Sequence, residues 1–144
     1  PIIAAGGFID GKTMAAAFSL GAEGIQMGTR MVSAAESPVH DNWKNAIVDA
    51  KETGTVFLNK FHSPALRALR TERTSRLERD PETNAMSEFG SALDLYFGGD
   101  MEAAIPLSGQ VAGRIESVKP VAEILAETQA EFFETINSLA GSYL

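Results

Sequence analysis

Apolar and polar positions along the chain change period several times, and each change predicts an element. Ile2–Ala5 is a short unbroken apolar run, the pattern of a strand buried on both faces as in a parallel sheet. Gly6-Gly7 follows, where the chain turns. Asp10-Gly11 then supplies an N-cap, and Met14, Ala15, Phe18 and Ser19 recur at helical spacing as an inward face of small residues. Gly21 is the C-terminal stop of that helix, and Ala22–Met27 is a second strand. Strand, helix and strand joined by short loops make a βαβ unit, whose crossover is right-handed.

Beyond Arg30 the helical period dominates. Ser33–Glu52 is predicted as one helix, with Glu36-Ser37 at its start, Pro38 just inside, and Trp43, Ala46, Ile47 and Ala50 as its apolar stripe. Thr55–Phe61 alternates and is β-branched and aromatic, hence a strand. Pro64–Arg79 is predicted as a basic helix, broken by Asp80-Pro81. Its arginines fall every third residue, a spacing that drifts around a helix of 3.6 residues per turn. They read as a solvated face partnered by Glu72 and Glu78, or else as a docking patch for an acidic partner or a phosphate-tailed substrate. Ser87–Phe97 is a short helix ended by Gly98-Gly99-Asp100. Met101–Leu107 is a helical turn or loop, and Ser108–Gly113 is a turn of small residues. Val118–Leu139 is the last helix, with Val121, Ile124, Leu125, Phe132 and Ile136 inward.

Composition narrows the function classes. The 144 residues carry a net charge of −7, the reverse of a surface built to neutralise nucleic-acid phosphates. Hydrophobic residues are 44% and charged residues 22%, typical of a globular domain. No apolar run approaches the roughly 18–20 residues of a membrane helix, so no membrane is expected. Cysteine is absent, which excludes disulfides and fits a reducing cytoplasm. The chain opens at Pro1 inside a strand pattern, so it is expected to be the C-terminal piece of a longer protein.

The candidate chemistry lies in the two glycine turns. A phosphate needs backbone N–H groups converging on it and side chains small enough to admit it. Gly6, Gly7, Gly28 and the hydroxyl of Thr29 supply both. Neither G-x-G-x-x-G nor a P-loop is present. Plain tight turns in an α/β fold would use the same glycines, and turn chemistry by itself leaves both uses open. His40, early in its helix, reads as a surface or capping residue. His62 follows a strand and could face a pocket. No metal-ligand spacing accompanies either histidine, and Ser108 has no G-x-S-x-G context.

The segment AAGGFIDGKTMAAAFSLGAEGIQMGTRMV resembles the nitronate monooxygenase family (2-nitropropane dioxygenases), which also contains FMN-dependent enoyl-(acyl-carrier-protein) reductases. The likeness continues through Glu36-Ser37-Pro38-Val39-His40, FHSPALRALR and SGQVAG, and so covers nearly the whole chain. It implies the C-terminal part of an FMN-binding (β/α)₈ TIM barrel, with residues 1–30 carrying strands 7 and 8. Residues 31–107 would be a mainly helical substrate or lid subdomain, and 108–144 the return to the barrel and the closing helix. It assigns Gly6, Gly7, Gly28 and Thr29 to the FMN phosphate with Gln26 nearby, and puts Ser108, Gly109 and Gln110 by the flavin ring and substrate. The family's catalytic histidine belongs to an HEAGGH-like motif that this chain lacks, and it is expected upstream of Pro1. No catalytic residue is therefore expected within the chain, apart from a contact of Ser108 with substrate or flavin. A barrel also takes about 250 residues. The resemblance implies an oxidoreductase of nitronates or nitroalkanes that uses O₂, whose missing N-terminal half is needed for activity. The enoyl reductase alternative would use NAD(P)H and an acyl thioester. A non-catalytic phosphate-binding scaffold module is the alternative of another class. A homodimer is left open.

Overall fold

The computed structural model describes residues 1–143. Strand β1 (Ile3–Ala5), helix α1 (Gly11–Ser19) and strand β2 (Gly24–Gln26) form the βαβ unit. The strands pair in parallel, with Ile3 opposite Gly24 and Ala5 opposite Gln26. Asp10 caps α1 by accepting from the Thr13 amide at 2.7 Å, and Thr13 Oγ1 accepts from the Asp10 amide, a capping box.

One face of the unit is covered by the long helix α6 (Val121–Tyr143). Ala15 and Ala17 of α1 are buried, and Phe18 meets Phe132 edge-on at 5.1 Å between centroids. The two backbones come unusually close at Gly11. A methyl group there would lie 2.6 Å from the Thr128 carbonyl oxygen and would also strike the Phe132 amide. The Glu131 carboxylate accepts from the Gly11 N–H at 2.8 Å, satisfying an amide that the start of a helix leaves free. Ser19, expected inward, is exposed, because α6 passes along the Ala15–Phe18 side.

The buried-strand expectation for Ile2–Ala5 is corrected. Ile2 and Ile3 are 64% and 60% exposed, because among the described residues β1 pairs only with β2. On α6, Ile124 is buried, but Leu125 is 53% and Ile136 39% exposed, since α1 has nine residues against the 23 of α6 and leaves most of it uncovered.

The middle of the chain sets short helices around a two-stranded antiparallel sheet. The helix predicted over Ser33–Glu52 is confined to α3 (Asp41–Val48), and a one-turn helix α2 (Thr29–Val32) precedes the predicted range. Between them Pro38, which has no N–H, holds the chain out of helix, and His40 becomes the N-cap by accepting from the Asn42 amide through Nδ1 at 3.1 Å. The stripe remains, with Trp43 and Ile47 fully buried. Strand β3 (Thr55–Leu58) stops short of Phe61 because Asn59 turns the chain at φ 59°.

Pro64–Arg79 is not one helix. Leu66–Leu69 is strand β4, antiparallel to β3, and only Glu72–Arg79 is helical (α4). Ala, Leu and Arg favour helix by themselves, but pairing with β3 and burial of Ala68 and Leu69 override that weak preference. Thr71 then starts α4 with its own capping box. Helix α5 is limited to Ala92–Tyr96, because Gly90 is drawn into a bridge with Ala104. Met101–Leu107 ends extended, its Leu107 bridged to Ala68, and a 3-10 helix spans Gln110–Arg114.

Two cores result. Trp43, Ile47, Leu69, Leu95, Ala112 and Ile115 form one, with Trp43 edge-on to Tyr96 at 4.9 Å. Val56, Leu58, Ala68, Leu77, Ala85 and Ile105 form the other, on the opposite face of the β3–β4 hairpin. No helix among the described residues is long and apolar enough to cross a membrane.

The close approach at Gly11 makes the α1–α6 seam sensitive to added volume. Gly11→Ala is expected to force α1 off α6 and lower stability by about 1–3 kcal/mol, the range for overpacked cores, as read by urea unfolding of the full chain. Lys12→Ala, at an exposed neighbouring position, leaves the transition within about 0.5 kcal/mol.

Candidate functional site

Parallel pairing brings the two glycine turns side by side. Ala5 and Gln26 are register partners, so Gly6-Gly7 and Gly28 leave the sheet at the same end. Gly6 and Gly7 have φ of 91° and 86°, a region closed to most side chains. Gly28 is different. Its φ is −96°, which any residue can adopt. Methyl groups built at Gly6 and Gly28 would meet nothing within 4 Å. Here glycine leaves empty space over the backbone.

That space is a concavity of about 260 Å³, lined by Gly6, Gly7, Gln26, Gly28, Thr29 and Gly109, with Ala5, Phe8 and Val111 completing the wall. Thr29 joins its two halves. Thr29 Oγ1 accepts a 2.7 Å hydrogen bond from the Gly109 amide, across 80 residues of sequence. With that acceptance made, the hydroxyl proton of Thr29 is free to donate into the concavity. The next residue faces the other way. Arg30 is buried, and its Nη1 donates to Ser33 Oγ at 2.9 Å and to the Ser117 carbonyl at 3.0 Å. Burial holds its guanidinium below the usual value, opposed by the nearby charges of Glu127 and Glu123. Arg30 therefore fastens α2 to the lead-in of α6, and Thr29 fastens it to the 108–109 loop.

Other expected site residues lie at varying distances from this concavity. Ser108 is buried, donates its amide to the Arg67 carbonyl at 3.1 Å, and has no hydrogen-bond partner for Oγ. It stands beside the concavity rather than in its lining. Gln110 is exposed at the start of the 3-10 helix and is also outside the lining. The β3–β4 connection carries His62, whose Nε2 hydrogen-bonds the Glu82 carbonyl at 2.8 Å, away from the concavity. Pro1, the position before which the catalytic histidine is expected, is exposed near Glu23, its nitrogen 3.8 Å from the carboxylate. It precedes β1, whereas the glycine turns follow the other ends of the strands, so Pro1 takes no part in the lining. Ala5, Phe8 and Val111 went unnoticed in the sequence. The first two adjoin the glycines and could have been found by position, whereas nothing local marks Val111.

A parallel βαβ unit whose glycine turns enclose a small concavity, walled by a loop returning from a second α/β layer, is an α/β arrangement, a class in which ligand sites commonly lie at the strand ends. The particular family follows from comparison: the nitronate monooxygenase family model matches residues 1–131, and the chain belongs to that family. A probable nitronate monooxygenase of Staphylococcus aureus is 33% identical over 132 residues, covering 88% of this chain and 37% of that protein. FabK from Thermotoga maritima is 41% identical with a TM-score of 0.90, covering 99% of this chain and 47% of its own. The nitroalkane oxidase of Streptomyces ansochromogenes is 26% identical with a TM-score of 0.76, over 96% and 41%. The enoyl reductase domain of MlnA from Bacillus amyloliquefaciens shares the fold, with a TM-score of 0.69 at 13% identity. The chain thus spans less than half the length of the first three relatives.

Removing the joining acceptor tests the geometry. Thr29→Val leaves the Gly109 amide without a partner and costs about 1–3 kcal/mol. Hydrogen exchange at Gly109 then accelerates, whereas Thr29→Ser, which keeps the oxygen, preserves protection.

Proposed function

We propose that the chain is the cofactor-anchoring part of an FMN-dependent oxidoreductase, with the concavity between the two glycine turns receiving the FMN phosphate. The observation that carries this is the empty space over Gly6 and Gly28 beside a free Thr29 hydroxyl. Backbone N–H groups and one O–H donor suit a phosphate, and no carboxylate lines the concavity to repel it. The residues present fit the group. When bound, FMN supplies the electron-transfer chemistry. This chain's part is to bind, orient and shield. Gly6, Gly7, Gly28 and Thr29 hold the phosphate, with Gln26 beside them. Phe8 and Val111 keep water from it. Ser108, Gly109 and Gln110 lie toward the ring and substrate, and the unpaired Ser108 Oγ is the polar atom in that loop still free to make a bond.

On this reading β1 and β2 are strands 7 and 8 of a (β/α)₈ barrel, where phosphate sites recur. Residues 1–30 are the anchoring segment, 31–107 the lid, and 108–144 the return to the barrel. The exposed Ile2 and Ile3 are then the surface on which the other half of the barrel packs. The reaction is oxidation of alkyl nitronates or nitroalkanes to carbonyl compounds with O₂, its acid–base histidine lying upstream of Pro1 in the parent protein. The likeness to nitronate monooxygenases and to a nitroalkane oxidase supports it. Reduction of an enoyl acyl thioester by NAD(P)H is the second reading, because an enoyl reductase domain is built on the same fold.

Gly28→Val tests the site. The φ of Gly28 accepts valine and the space is open, so the full-length variant folds normally by circular dichroism. It is expected to lose bound flavin absorbance, and retention of wild-type flavin would place the phosphate elsewhere. The two reactions separate anaerobically. A nitronate monooxygenase is reduced by the nitronate and only slowly by NADH or NADPH, whereas rapid reduction by either nucleotide selects the enoyl reductase reading.

A further inference from the structure

The segment 108–117 returns from the β3–β4 layer to the βαβ unit, and consecutive residues of α2 hold it at both ends. Thr29 Oγ1 accepts from the Gly109 amide at 2.7 Å, and Arg30 Nη1 donates to the Ser117 carbonyl at 3.0 Å. The rest of the segment belongs to the other layer. Ser108 donates its amide to the Arg67 carbonyl of β4 at 3.1 Å. Ala112 and Ile115 are buried in the core of Trp43 and Ile47. A methyl group built at Gly113 would lie 2.6 Å from the Lys51 carbonyl oxygen, so the backbones there are in close contact. Segment and hairpin are thus packed as one body. Where that body meets the glycine turns, the joint is the hydrogen bond that Thr29 accepts. Arg114 also reaches Asp10, at 3.0 Å, but that pair is partly exposed and touches the cap of α1, not the turns.

Thr29 has one capacity left. Its oxygen receives the Gly109 N–H, and among the described residues nothing accepts its proton. Thr29 lines the glycine concavity, so an oxyanion there is the acceptor that the hydroxyl lacks. Donation to an anion polarises the O–H, and the oxygen then accepts more strongly from Gly109. Glycine at 109 keeps the reach short, since a methyl group there would lie 3.1 Å from Thr29 Oγ1. Val111, two residues on, lines the same concavity and would be touched by the same ligand.

What the joint positions is Ser108. It adjoins Gly109, it is buried, and its Oγ has no partner. Its place relative to the glycine turns is set through the Thr29–Gly109 bond.

We propose that Thr29 is a positioning residue: by donating to a phosphate in the concavity it tightens its hold on Gly109 and locks the Ser108 segment against the glycine turns. The inference rests on the flavin reading, and it makes the phosphate, not the ring, the signal that seats the segment.

Amide hydrogen exchange at Gly109 in the full-length protein tests it. Apoprotein, riboflavin-loaded and FMN-loaded samples are compared, with occupancy read from quenching of flavin fluorescence. FMN is expected to slow exchange at Gly109 by about tenfold, the size of one hydrogen bond to a charged group, and riboflavin, which has the ring but no phosphate, to leave it within about twofold of the apoprotein. In Thr29→Val the FMN-dependent slowing disappears even at full occupancy, and Thr29→Ser, which keeps the hydroxyl, restores it within about threefold. Equal slowing by riboflavin overturns the proposal, as does slowing that survives in Thr29→Val. FMN bound no more tightly than riboflavin, or retained by Gly28→Val, ends the flavin reading and the proposal together. Phosphate-dependent binding with unchanged exchange at Gly109 overturns the proposal alone.

Discussion

The parallel pairing of β1 with β2 is the constraint on which the candidate site depends. Register alone decides that Gly6-Gly7 and Gly28 emerge at the same end of the sheet. A slip of one residue would turn every side chain of a strand to the opposite face and carry the glycines out of alignment. The pairing is short, and two such strands are not stable by themselves. What holds them is α1, seated on α6 by the close approach at Gly11 and the Glu131 carboxylate on its first amide.

Carboxylates remote in sequence stitch the rest together in the same way. Glu131 caps α1, Glu102 caps α4, and Glu36 accepts from the Val121 amide at the start of α6 at 2.9 Å. Each answers the unpaired amides that a helix start exposes, and each suits the positive end of the helix dipole. Their common effect is to fix where a helix begins relative to a distant loop. Thr29 does the same on a smaller scale by accepting from Gly109, and so the loop that carries Ser108 is held against the glycine turns. The geometry of the concavity and the position of the segment beside it thereby become coupled through one side chain.

Membership of the nitronate monooxygenase family gives this arrangement its context. Beyond the βαβ unit the chain shows two separate surfaces. One, near Ser108 and Gly109, borders the glycine concavity. The other, the arginine row on α4, faces outward.

Elements whose signals are local were legible in the sequence. Asp10 as a cap, Gly21 as a stop, the βαβ order, the Trp43 and Ile47 stripe and the glycine turns all depend on residues within a turn or two of one another. The family was legible for the same reason, since its motifs are contiguous. What failed depended on distant partners. Leu66–Leu69 became a strand because β3 lay beside it, and the row of arginines shared one groove only once that strand had shortened the helix to Glu72–Arg79. The exposure of Ile2 and Ile3 escaped the pattern because an apolar run reports what a strand can bury, not what covers it. The amino-acid sequence by itself determined the glycine turns and the local helix caps. Only the tertiary structure decided which turns meet, since hydrogen bonds such as Gly109 to Thr29 and Gly11 to Glu131 span 80 and 120 residues and leave no local trace.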